Sequence, residues 1–134
     1  MKKTIIQYLI YGFIYLAILY PLWIRGQNIT WDFRNLSATL FPFFGLLMVS
    51  LLWLHSLAGA FEEWLRQYIN FDRFIQITAV IIFWSLILHP LLLIISMDFK
   101  ISDIYAYYGA TFIRLGIISW LLLISYDIGK FLKK

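Results

Sequence analysis

Three side chains in this sequence have chemistry that their surroundings lack: His89, followed at once by Pro90; His55, followed by Ser56; and Arg114, set in an otherwise apolar run. Each falls inside a stretch of hydrocarbon-like residues, where an unpaired polar atom is costly. A histidine there needs a hydrogen-bond partner, a cavity or a cofactor. For His89 two readings stand side by side: an axial ligand to a haem b iron, or a structural bond to Ser85 or to the Leu86 carbonyl, which Pro90 deprives of its helical partner. His55 is read first as hydrogen-bonded to Ser56 or to a neighbouring helix. Arg114 calls for a carboxylate, a cluster of carbonyls, an anionic ligand or water, and no Asp or Glu lies within the spans at its level.

The elements that position these residues follow from hydropathy. Residues 76–97 hold 22 residues with no formal charge, enough to cross a hydrocarbon core of about 30 Å at about 1.5 Å per residue. Four such spans are expected, at about 5–24, 40–61, 74–97 and 104–128, in one transmembrane domain covering residues 1–134. The first is read as a retained span, because no small-residue cleavage pattern follows it. Residues 26–37 form a polar link, whose Asn-X-Ser/Thr triplets at Asn28 and Asn35 are read as chance matches. Pro42 is placed in the first turn of span two, where helices tolerate proline. That span carries Gly45, Ser50, Ser56, Ala58, Gly59 and Ala60, small residues that permit close helix contact. Glu62 to Phe71 reads as an amphipathic continuation along the interface, and Gln76 and Thr78 are given no special role. The short link at 98–103 makes spans three and four antiparallel neighbours.

Composition narrows the classes. The chain is 63% hydrophobic and 13% charged, with a mean hydropathy of +0.83; a soluble domain carries roughly twice that share of charge. The net charge of +4 sits at helix ends, so nucleic acid is not expected as a partner. There is no cysteine, which excludes disulfides and thiolate metal sites. Four spans put Lys2, Lys3, Arg66, Arg73, Lys130, Lys133 and Lys134 on one side, and Arg25, Arg34 and Lys100 on the other. The positive-inside rule then gives an all-α four-transmembrane-helix bundle in a bacterial inner membrane, with N- and C-termini cytoplasmic. Neither a dinucleotide fingerprint nor a phosphate-binding loop is present, so a flavin or nucleotide site has to come from another chain.

Depth can be counted along straight helices. His55 lies seven residues before Glu62, roughly 10 Å from the cytoplasmic edge, and His89 nine residues before Asp98, roughly 13 Å from the outer edge. Their levels differ, which makes them a poor pair of axial ligands within one subunit. Arg114, eleven residues past Asp103, is placed roughly 15 Å from the outer edge, as a companion to His89.

The run from Phe43 to Leu93 resembles the ferric reductase-like transmembrane domain. The similarity lies in the segment Gly45 to Leu54, the amphipathic link ending Phe71-Asp72-Arg73, and the apolar helix closing on His89-Pro90. The segment Gly116 to Ser125 is similar to the helix that follows in that family. The resemblance implies a helical haem-bearing membrane domain, whose two b-type haems lie between two helices that each carry a pair of histidines 13 or 14 residues apart. His89 matches the second histidine of the first pair. Ile75 or Gln76 stands where the first belongs, and the other pair is absent.

Three functions are therefore expected of such a chain. It is an accessory or anchoring subunit without a cofactor, docked to another membrane or flavin-binding subunit or to a second copy of itself. Alternatively it carries electrons through a haem b on His89, with a ligand completed by a partner and Arg114 against a propionate. In the third reading it binds an anionic lipid or small solute on Arg114. Membrane lipids are partners in every case.

Overall fold

The computed structural model describes residues 2–27 and 35–132, with side chains described for 3–27 and 35–125. The Asn28 triplet, Arg34 and Lys133–Lys134 lie outside the described residues. Among the described residues six helices follow in order: α1 (Lys2–Gln27), α2 (Leu36–Ala60), α3 (Glu62–Leu65), α4 (Phe71–Ser96), α5 (Ile101–Tyr108) and α6 (Ala110–Leu132). The protein is an all-α, multi-pass membrane protein. Helices α1, α2 and α4 are each long and apolar enough to cross, and α5 with α6 makes a fourth if the two together form one span. The chain divides into two compact units, Met1–Leu93 and Ile94–Lys134.

In the first unit, α2 is the middle element. Leu51, Leu54 and Ile82 form the buried core, with Ile14, Ala17 and Ile18 of α1 and Leu47, Met48 and Leu52 of α2 packed on it. The N-terminal half of α1 shares a cavity lining with the C-terminal half of α2, so the two run antiparallel. Large apolar residues such as Trp23, Trp53 and Trp84 remain more than half exposed. That distribution is inverted relative to a soluble domain, as it should be where lipid is the solvent.

Helix α2 begins earlier than hydropathy indicates. Asn35 caps it: its side chain accepts from the Ala38 N–H at 3.2 Å and from the Ser37 hydroxyl at 3.0 Å. This satisfies one of the donors that every helix start leaves open. Pro42 consequently sits in the second turn of the helix, not the first. Helix α2 also stops at Ala60 rather than continuing through the link. Residues 62–65 form a separate single turn, after which Arg66 ties the link together. Its guanidinium bonds Glu62 at 2.8 Å, meets Asp72 through two N–H groups at 2.8 and 3.0 Å, and lies over the Phe71 ring. These acceptors hold its pKa above the ordinary arginine value, the Asp72 bonds most of all.

In the second unit the expected straight span at 104–128 is two helices. Gly109 takes φ +83° and ψ 134°, a conformation that costs little only without a Cβ, and α5 and α6 meet there at 112°. Upstream, Asp98 and Phe99 both have positive φ. The Phe99 N–H reaches back to the Ile94 carbonyl at 3.0 Å, closing the end of α4 as a left-handed cap.

Candidate functional site

Both histidines of the first unit make hydrogen bonds across the seam between α2 and α4. His89 donates its Nδ1–H to the carbonyl oxygen of Phe41 across the seam, at 2.7 Å. A carbonyl oxygen has two lone pairs, so it can accept this bond besides any partner in its own helix. The imidazole lies directly on Gly45. A Cβ built there would fall 2.8 Å from Cε1 and 2.9 Å from Nδ1 of the ring. Gly45 thus admits a side chain from α4, where the sequence called for a small residue to admit a neighbouring backbone. The Phe41 ring covers the imidazole from the side, with centroids 5.7 Å apart.

His55 makes the second cross-link. Its Nε2 meets the hydroxyl of Thr78, and that hydroxyl donates in turn to the Phe74 carbonyl at 2.7 Å. A hydroxyl has one proton to give, so the imidazole N–H donates to Thr78 and the threonine passes its proton down its own helix. Thr78 is 7% exposed. It is a buried partner for a half-buried ring, although the sequence alone gives Thr78 no special role. Ser56 does not bind His55; it donates to the Leu52 carbonyl at 3.1 Å.

The two cross-links fix the geometry of the seam. Phe41 faces His89 and His55 faces Thr78, so α2 and α4 run antiparallel. The cross-links stand eleven residues apart on α4, or roughly 16 Å by helical rise, and fourteen apart on α2, or roughly 21 Å. Axial nitrogens on one haem iron face each other about 4 Å apart. A haem held between His55 and His89 of one chain does not fit this arrangement. Among the described residues, no group of three or more His, Cys, Asp or Glu side chains gathers for a metal ion.

One feature of His89 remains chemically open. With Nδ1–H given to a carbonyl, the neutral ring presents Nε2 as its bare nitrogen, and Nε2 makes no hydrogen bond among the described residues. A ring proton held by a backbone carbonyl is also how ligating histidines are commonly oriented.

Arg114 belongs to the second unit. It is exposed and has no ion pair or hydrogen bond among the described residues. The straight-helix count that put it roughly 15 Å deep does not survive the turn at Gly109. Arg114 stands five residues beyond that turn, roughly 7 Å along α6.

No family model matches the chain, and no curated protein or solved structure is significantly similar to it.

Proposed function

We propose that this chain is an accessory or anchoring subunit of a larger membrane assembly, seated in a bacterial inner membrane with both termini cytoplasmic and carrying no catalytic site. One observation carries the reading: both intramembrane histidines serve as pins between α2 and α4, and the remaining intramembrane charge, Arg114, has no counter-charge among the described residues. Helix packing in lipid draws on such polar contacts, because the hydrophobic effect gives helices little reason to associate there. The partner this predicts is a membrane chain with an acidic side chain in a span near the level of Arg114. Blue-native electrophoresis and stoichiometric mass spectrometry of the tagged chain, expressed at its native level and extracted mildly, test it. A discrete complex that loses its partner in Arg114→Leu supports the proposal. A chain that migrates alone, with or without the substitution, overturns it.

A second reading is favoured by the bare Nε2 of His89: a haem b whose other axial ligand comes from a partner or a second copy, making the assembly an electron carrier like the family this chain resembles. In that case the haem would supply the redox chemistry, and this chain would orient one ligand through Phe41 and Gly45. A reduced-minus-oxidised spectrum after haem supplementation decides between the readings. A b-type signal lost in His89→Ala supports the haem; its absence from the intact complex removes it.

A further inference from the structure

The bend in the second unit excludes one way of setting its two helices in a bilayer. Helix α5 has 8 residues, roughly 12 Å of rise, and α6 has 23, roughly 34 Å. The chain bends by 112° between them. Measured along the axis of α6, α5 therefore runs backwards by roughly 4 Å. It contributes nothing to a crossing, so the two do not share one as a broken span. We infer that α6 alone is the fourth span, and that α5 is an arm lying in the lipid headgroup layer at the membrane face where α4 ends.

Two placements satisfy a bend this close to a right angle. Either α6 crosses and α5 lies along the surface, or α5 dips inward and α6 lies along the surface. The side chains of α6 choose the first. Phe112, Leu115, Ile117, Ile118 and Leu121 are exposed and Trp120 is half-buried. At about 100° per residue these six point to every side of the helix. A helix resting on an interface needs a polar side for the water, whereas one that is apolar all round belongs inside the hydrocarbon. Its length of roughly 34 Å covers a core of about 30 Å without help from α5. The one charge between Ala110 and Tyr126 is Arg114. It enters the span by only roughly 7 Å, where a charge costs less than at the bilayer middle.

Helix α5 has the opposite character. Ile101, Ile104, Tyr105 and Tyr108 recur at i, i+3, i+4 and i+7 and form one side. Ser102, Asp103 and Ala106 form the other, and all three are exposed. Asp98, Lys100 and Asp103 put three exposed charges within six residues at the start of the arm, a density that hydrocarbon does not accept. Tyr105, Tyr107 and Tyr108 supply the amphipathic rings that favour headgroup level. The Tyr107 and Tyr108 rings meet edge to face with centroids 4.8 Å apart. With α6 along the membrane normal, the 112° bend leaves α5 roughly 22° from the membrane plane.

The test reads depth directly. The chain has no cysteine, so single spin labels are placed through Ser102→Cys and Ala106→Cys on α5 and through Leu115→Cys and Leu122→Cys on α6. All four positions are exposed, which leaves the packing intact. The full chain is reconstituted in liposomes, and the ratio of collisions with oxygen and with a water-soluble nickel chelate gives the depth of each label. Leu122 should lie roughly 10 Å deeper than Leu115. Ser102 and Ala106 share one side of α5 and should differ by only roughly 2 Å, both at headgroup level. Equal depths at Leu115 and Leu122, with Ala106 roughly 6 Å deeper than Ser102, would put α5 in the membrane and α6 on its surface, and overturn the inference. A depth that increases steadily from Ser102 through Ala106 to Leu122 overturns it too, in favour of one continuous span.

Discussion

The contact between His89 and Gly45 gives the sharpest test of the seam. In Gly45→Ala the new methyl would sit 2.8 Å from Cε1 of the ring, well inside the 3.5–4.0 Å at which carbon atoms attract. The imidazole is wedged between two helices, so it has to shift by several tenths of an ångström, and its 2.7 Å bond to Phe41 stretches or breaks. Overpacking of this kind costs about 1–3 kcal/mol, and a hydrogen bond between membrane helices contributes about 0.6 kcal/mol on average. Against this, alanine is better than glycine in a helix by about 1 kcal/mol. The net for Gly45→Ala is a loss of about 0.6–2.6 kcal/mol. In a His89→Ala background the ring and its bond are already gone, and only the helix-propensity gain remains. There the same substitution should stabilise by up to about 1 kcal/mol. The coupling of about 1.6–3.6 kcal/mol is read from a double-mutant cycle, using steric trapping or reversible unfolding in mixed micelles. Equal effects of Gly45→Ala in the two backgrounds would show that the ring does not rest on Gly45, and the account of the seam would fail.

Two further outcomes are expected of stability and backbone geometry. His55→Ala and the near-isosteric Thr78→Val should each destabilise by about 0.6–1.7 kcal/mol, and the double variant by less than the sum, since both remove one bond; additive losses in the same unfolding assay would mean the bond is absent. Gly109→Ala should cost about 1–3 kcal/mol or open the turn between α5 and α6. The chain lacks cysteine, so a distance between spin labels at single-cysteine pairs on the two helices reports which, and an unchanged distance with unchanged stability would refute the strain argument.

How much of this was legible in the sequence depends on the kind of signal. The three long helices fall where hydropathy puts the first three spans, each extended by two to four residues at its start. The difference in level between His55 and His89 was legible too, because helical rise is regular and both sit in unbroken helices. Their partners were not. A backbone carbonyl such as that of Phe41 has no sequence signature, and Thr78 looks like any threonine near a helix end. The turn at Gly109 was hidden because glycine is frequent in membrane helices and the apolar pattern runs past it without interruption. Once that turn is missed, the straight-helix count that placed Arg114 loses its basis as well. Asn35 carried the signature of a cap directly before an apolar run, but it was read as part of a chance Asn-X-Ser match.

The antiparallel seam also imposes an order of events on the growing chain. His55 is synthesised 23 residues before Thr78, and Phe41 48 residues before His89. At about 5–20 residues per second, α2 waits roughly one to five seconds for the hydroxyl that receives its imidazole, and longer for the ring that rests on Gly45. Through that interval α2 has not yet met the threonine that its histidine bonds in the finished fold. The pair α2 and α4, not the single helix, is therefore the smallest piece of this protein that lipid can accept with both cross-links made.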